Sequence, residues 1–403
     1  MTQKMLNKIR EPPKRRFFYI NLSKSIFFKN TFNLISMRFL VLIAFLFTLS
    51  CAHKNEDPIL KVLSSDNPKI KTVVDHIKNH EVQILFTKIE RNGNSLSFKD
   101  YSYQVNDSNY FYPASTVKFP IAILALEKMK TNSLINRNTV FKVEGDSVKT
   151  TFSNDIKKIF AVSDNEAYNR LFEYLGKDDI NAKLSERGIN ARISHRLSVP
   201  NSDVTTTKPL IFYDNDSIVL KIDSIINKPI EPLQLHRIIK GKGYMINDSL
   251  VNSPMDFSLK NYLPITSLHN IMKQLMFPEL YPYEKQFHVS SDDREFLIKT
   301  MNISPQEAGY TSDEYYESYV KFLVFGDSKQ PLPSYIKIYN KVGDAYGYLT
   351  DCAYIVNEKT KKEYIITATI HVNKNQIFND NTYEYDTIGF PFLAELGRQL
   401  IDY

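Results

Sequence analysis

Tyr112-Pro113-Ala114-Ser115-Thr116-Val117-Lys118-Phe119-Pro120 is the stretch from which the rest of the chain is read. Pro113 punctuates what precedes it, and the run that follows, Phe119 to Met129 (FPIAILALEKM), is apolar on nearly every face. That is the pattern of a buried central helix. Ser115 and Lys118 stand three apart, which on a helix puts both side chains on one face. A serine hydroxyl is a poor nucleophile until its proton is removed, and a partly buried lysine with a lowered pKa can remove it. The helix N-terminus adds N–H groups and partial positive charge beside the reacting oxygen. The spacing alone is cheap: Ser318/Lys321 and Ser334/Lys337 repeat it, and an N-capping serine before a solvated lysine reads equally well.

The chain has 403 residues and 43% apolar content, with 26 Phe and 25 Tyr, enough to bury a sizeable core. Its formal charge of +6 is concentrated at one end. Residues 1–38 carry nine Lys/Arg against Glu11, which leaves −2 for the remainder. No basic surface remains to suggest nucleic acid. Phe39 to Ser50 is a 12-residue apolar run behind Arg38, too short to span a bilayer and suited to the core of a secretory signal. Thr48-Leu49-Ser50-Cys51 is similar to a bacterial lipoprotein box, which implies acylation of Cys51, export and attachment to a cell-envelope membrane. Cys352, the second of two cysteines, is then without a partner and reads as a small core residue.

Residues 1–50 are thus expected to be a leader and 51–67 a polar tether. Ser65-Asp66-Asn67-Pro68 caps a first helix to about His80, with Pro in its first turn. His76 and His80 have i, i+4 spacing but no third ligand, so they read as surface residues and no metal or cofactor is expected. Val82–Glu90 and Ser95–Val105 alternate about Arg91-Asn92-Gly93-Asn94, a hairpin. Three more strands are expected at Tyr335–Gly343, Tyr348–Asn357 and Glu363–Val372, followed by an amphipathic helix over Asp386–Tyr403. Strands on both sides of a helical block imply one interleaved α+β domain over 68–403. It would hold a five-stranded antiparallel sheet (68–112 and 335–403) and an all-helical subdomain (113–334), with a cleft between them. Within the block, Lys208–Leu263 has weak periodicity and reads as an insertion near the cleft, about 208–263.

Two further motifs follow the first in order. Ser163-Asp164-Asn165 lies between helical patterns at Asn154–Val162 and Glu166–Leu175, where Ser163-x-x-Glu166 also reads as a capping box. Lys341-Val342-Gly343 ends a strand, and a glycine there lets substrate backbone lie along it. Ser-x-x-Lys, Ser-Asp-Asn and Lys-x-Gly in this order resemble the penicillin-recognising serine enzymes, class A β-lactamases and penicillin-binding proteins. Val204 to Pro209 is similar to that family's Thr-rich segment.

The resemblance implies a β-lactamase/transpeptidase-like fold and a serine hydrolase acting on β-lactams or cell-wall peptides, as a monomer. It implies Ser115 as the acylated nucleophile, Lys118 as its base and Ser163 as proton relay to the leaving amine. Asn165 would hold the substrate amide, Lys341 would attract the substrate carboxylate, and Gly343 would lie along the substrate. The N–H groups of Ser115 and Asp344 would form the oxyanion hole. Two departures stand out. Val342 replaces the family's hydroxyl residue, and the stretch Arg192–Val204, where class A enzymes keep the glutamate that activates water, has none. Asp203 and His195 are the remaining candidates there. The acyl-enzyme is therefore expected to form and persist. The alternatives are a D-Ala-D-Ala-type peptidase and a non-catalytic envelope binding lipoprotein.

Overall fold

A computed structural model describes residues 56–93 and 95–403. Cys51 and the apolar run before it lie outside the described residues. In chain order, helices α1 (Pro58–Leu63) and α2 (Pro68–Val74) lead into the hairpin β1 (Gln83–Asn92) and β2 (Ser95–Tyr103). The last third supplies β-strands at Ile336–Ala345, Tyr348–Asn357 and Lys362–His371, and a terminal helix at Phe390–Ile401. The sheet is antiparallel throughout, and β1 from the front of the chain pairs with Lys362–His371 from the back, Gln83 opposite Thr369. Strand Ile336–Ala345 and β2 are its two edges.

Side chains alternate between two cores, as the period of two requires. Tyr364, Ile366, Ala368 and Ile370 pack with Ile59, Ile70, Leu393 and Leu396 on the face covered by the terminal helices. Ile365 and Cys352 face the other way, into a core with Leu268 and Ile271. Cys352 is fully buried and free, as a core residue.

The ordered domain starts earlier than the polar composition of 51–67 suggests. Asp57 caps α1 by accepting from the Ile59 N–H at 2.8 Å, and Ile59 and Val62 are buried. At six residues the helix is under two turns long, too short to stand out as a period. The first helix also stops at Val74, and Ile77–Asn79 forms a separate 3-10 turn.

Between the two halves of the sheet, the 3-10 turn Ala114–Val117 runs into α3 (Lys118–Met129), buried at every position except Glu127 and Lys128. Next come β3 (Val140–Val143), α4 (Phe152–Val162), α5 (Asn165–Leu175) and α6 (Lys177–Glu186). The block is not wholly helical. Strands β4 (Leu210–Asp214) and β5 (Ser217–Ile222), from the segment read as an insertion, form a small sheet with β3 in which β4 is central. Phe212 from β4 is buried against Phe141 and Phe152, so this part of 208–263 belongs to the core. The rest is short strands, of which Gly243–Ile246 pairs with Ile377–Phe378 beyond the main sheet. Helices α7 (Ile265–Met276) and α8 (Ser291–Met301) complete the block, α8 capped by Ser290. The main-sheet strands of the last third are β6 (Ile336–Ala345), β7 (Tyr348–Asn357) and β8 (Lys362–His371), and the terminal helix is α9 (Phe390–Ile401). No described helix is long and apolar enough to cross a membrane.

Candidate active site

Ser115 sits in the 3-10 turn that starts α3, half-exposed, against the end of edge strand β6. The approach is close. A Cβ built on Gly343 would stand 2.7 Å from the Pro113 carbonyl oxygen and 2.8 Å from the Ser115 and Thr116 nitrogens. Gly343 does not have positive φ; glycine is there because two backbones touch. Beside this junction lies a cleft of about 450 Å³. Ser115, Asn165, Ser198, Asp344, Tyr346 and Tyr385 are among its walls.

Lys118 and Lys341 are buried, at 0% and 2% exposure. Lys118 Nζ donates to the Ser163 carbonyl and to Asn165 Oδ1 at 2.7 Å, and stands 3.3 Å from Ser163 Oγ. Lys341 Nζ donates to the same Ser163 Oγ at 2.9 Å and to the Val342 carbonyl at 2.7 Å. One hydroxyl thus joins two lysines from opposite ends of the sequence. Burial drives the Lys118 pKa well below its ordinary value, and repulsion from Lys341 adds to the effect. Burial also lowers Lys341, to about 7, against the opposing pull of Asp344 and Asp351.

Local backbone chemistry explains how Ser163 reaches both amines. It ends α4 in the left-handed conformation, at φ 58°. The cap of α5 is Asp164, whose carboxylate accepts from the Ala167 N–H at 2.7 Å. The capping box read at Ser163 and Glu166 is therefore absent, because the residue after Ser163 takes that role and leaves its hydroxyl to the lysines. Val342, between two residues that face the site, points to the other side of the sheet and packs with Leu349 and Ala353. It presents no group to the cleft.

The strand carrying Lys341 is anchored by a network that the sequence did not suggest. Lys321, fully buried, donates to the Met301 and Ile338 carbonyls, each at 3.0 Å, and to Asn340 Oδ1 at 2.7 Å. Asn340 Nδ2 donates to the Val320 carbonyl at 2.8 Å and to Asp351 Oδ1 at 2.9 Å. The available signal was the Ser318/Lys321 pair, one of the Ser-x-x-Lys repeats. Ser318 there donates to the Ser328 carbonyl instead of joining the cleft.

The segment 192–204 is clamped onto α5. Leu197 exchanges two bonds with Asn169, the N–H donating at 2.8 Å and the carbonyl accepting at 3.0 Å. Asn165 Nδ2 donates to Ser198 Oγ at 2.9 Å. His195 is turned inward: Nδ1 meets the Arg196 carbonyl at 2.6 Å and Nε2 accepts from the Asn261 N–H at 3.3 Å. Burial lowers its pKa to about 4. Both ring nitrogens are occupied, so His195 cannot serve as a base toward the cleft. Glu173 is held by both arms of the Arg196 fork and by the Lys208 N–H. Asp203 is exposed and is not among the cleft residues. Among the described residues lining the cleft, Asp344 carries the one carboxylate, on the β6 side.

A sequence model of the beta-lactamase enzyme family matches residues 67–215. That span holds Ser115, Lys118, Ser163 and Asn165; Lys341 comes to them from outside it. No curated protein sequence matches the chain significantly. Similar solved structures include an acyl-enzyme complex of a PBP-A variant with penicillin G, at 13% identity and TM-score 0.48, covering 86% of this chain and 95% of that one. A beta-lactamase from Sphaerobacter thermophilus is similar at 12% identity and TM-score 0.46, covering 85% and 95%. L2 in complex with relebactam is similar at 12% identity and TM-score 0.48, covering 85% and 97%.

Proposed function

We propose that this chain, whose residues 67–215 match the model of the beta-lactamase enzyme family, transfers acyl groups through Ser115, on β-lactams or related amides of the cell envelope. The observation that carries this reading is the sharing of Ser163 Oγ by two buried lysines, one of them three residues from the half-exposed Ser115. Burial depresses the Lys118 pKa well below its ordinary value, which favours the amine form whose nitrogen can take the Ser115 proton. Ser115 Oγ attacks the amide carbonyl carbon, and the N–H groups of Ser115 and Asp344 receive the negative charge on oxygen. The C–N bond breaks, and the proton passes from Lys118 by way of Ser163 Oγ to the leaving nitrogen. Asn165 orients the substrate amide, and Gly343 leaves room for substrate along β6. An acyl ester on Ser115 remains.

Water is poorly activated for the second half of the reaction. Leu197 and Ser198 occupy the cleft wall where a carboxylate would be needed, and His195 faces inward. Without a positioned base, deacylation is slower by ~10²–10⁴-fold. The same observation favours a second reading, in which the acyl group passes to an amine, as in a cell-wall D-Ala-D-Ala-type peptidase or transpeptidase. In either case we place the protein at the cell envelope, monomeric and anchored through an acylated Cys51.

The test is exposure of the purified protein to a fluorescent penicillin and to cell-wall peptides, with intact-mass analysis over time. Mass added on Ser115 and lost slowly is expected, and Ser115→Ala should abolish it. Binding that survives Ser115→Ala, with no covalent adduct in the parent protein, would leave only a binding lipoprotein.

A further inference from the structure

A larger cavity, about 760 Å³, shares no lining residue with the Ser115 cleft and lies between the turn after α2, the segment 237–241 and the loop that follows β8. Its size is that of a small-molecule site. Lys78, Arg237 and Lys374 stand exposed on its walls. Among the described residues no carboxylate is ion-paired to any of the three. The fourth cation, Lys240, is buried and already balanced. It meets both Glu81 oxygens, at 3.0 and 2.8 Å, and Glu81 also accepts from the Tyr348 hydroxyl at 3.0 Å. Glu384 is the other acid of the wall, and one oxygen is held by the Lys374 N–H at 3.1 Å. The walls therefore keep an excess of positive charge. His371, also in the wall, contributes none at neutral pH, because burial holds its pKa at about 4.

The cavity is a built junction rather than a surface dent. Gly241 has φ +75°, and a Cβ there would stand 2.6 Å from both the Gln376 carbonyl oxygen and the Phe378 ring. Segment 237–241 is thus pressed directly on the loop after β8.

We propose that this cavity is a second ligand site, for a small organic anion whose carboxylate or phosphate meets Arg237 and Lys374. The site is separate from the Ser115 cleft, so it stands whether or not the acyl-transfer reading does.

The experiment is calorimetric titration of the purified protein at low ionic strength with citrate, N-acetylmuramic acid and inorganic phosphate, using N-acetylglucosamine as the neutral comparison. At least one acid should bind, the neutral sugar should not, and added salt should weaken binding. Arg237→Gln and Lys374→Gln alter exposed side chains, so both should keep the parent Tm. Either should weaken the acid by about tenfold, the effect of losing one charge-assisted hydrogen bond. Phosphate against the two carboxylic acids identifies which acid group is preferred. Failure of all three acids to bind, or binding undiminished in both variants, would overturn the proposal.

Discussion

Replacing Gly343 by alanine tests the contact on which the candidate site is built. The added Cβ would meet three backbone atoms at 2.7–2.8 Å, where ordinary contact starts near 3.4 Å. Neither neighbour is a side chain that can rotate away, so β6 and the Ser115 turn must separate by about 0.6–0.7 Å. Overpacking of this kind costs ~1–3 kcal/mol, which lowers Tm by roughly 1–4 °C in a domain of this size. The effect on chemistry should be larger. A shift approaching 1 Å moves the Asp344 N–H and the Lys341 amine away from the Ser115 oxygen, and misplacement on that scale costs ~10²-fold. The rate of Ser115 labelling by a fluorescent penicillin reads the second effect, and calorimetry reads the first. Val342→Ala is the comparison. It removes core packing on the opposite face of the same strand, so it should lower Tm and leave labelling of the folded protein nearly unchanged. Parent-like Tm and a labelling rate within about twofold of the parent for Gly343→Ala would refute the idea that this approach is rigid.

The remaining expectations concern charge and pH. Lys341, held near 7 by burial, loses its proton as pH rises through neutrality. Acylation by an anionic penicillin should therefore fall between pH 6 and 8, and Lys341→Gln should be slow and flat across that interval; a flat parent profile would count against the role of Lys341. Leu197 lines the cleft beside Asn165 and Ser198, so Leu197→Glu should supply the missing carboxylate. Mass spectrometry should then find the acyl adduct lost faster, by up to ~10²–10⁴-fold. Burial holds His195 near 4 and His269 near 3, against 6.5 when unfolded. Both folded values are depressed, so their stabilising effect is full above pH 6.5 and is lost as pH falls toward 4. By pH 4.5 each should cost on the order of 2 kcal/mol, and denaturant titrations at pH 7 and 4.5 measure the loss. In a His269→Gln variant the pH dependence should shrink by its share.

How far the chain could be read depended on the range of each signal. The alternation in Val82–Glu90 and Ser95–Val105, the apolar-rich segments of β7 and β8, and the all-round apolar α3 announced the main sheet and its central helix. These periods report burial on one or two faces, and burial is a property each residue carries with it. Short elements gave no such period. Helix α1 spans only six residues, under two turns, and β4 pairs with a strand seventy residues away, so the first was read as tether and the second as part of an insertion. The Asn340–Lys321–Asp351 network was silent for a related reason: nothing in a sequence says that a buried lysine will find an asparagine across a sheet edge.

The candidate site divides along the same line. Residue types and their order were set in the sequence: Ser115 three before Lys118, Ser163 two before Asn165, Lys341 two before Gly343. Their meeting was decided by tertiary structure. Lys341 reaches Ser163 across 178 positions, because β6 must pair with β7 to bury its apolar face and thereby comes to lie against the Ser115 turn. The left-handed turn that frees the Ser163 hydroxyl, the inward rotation of His195 and the fit of Gly343 against backbone all follow from that packing. Local spacing can name the groups that do chemistry, but the distances and pKa shifts on which chemistry depends arise only when separate segments exclude water from the same place.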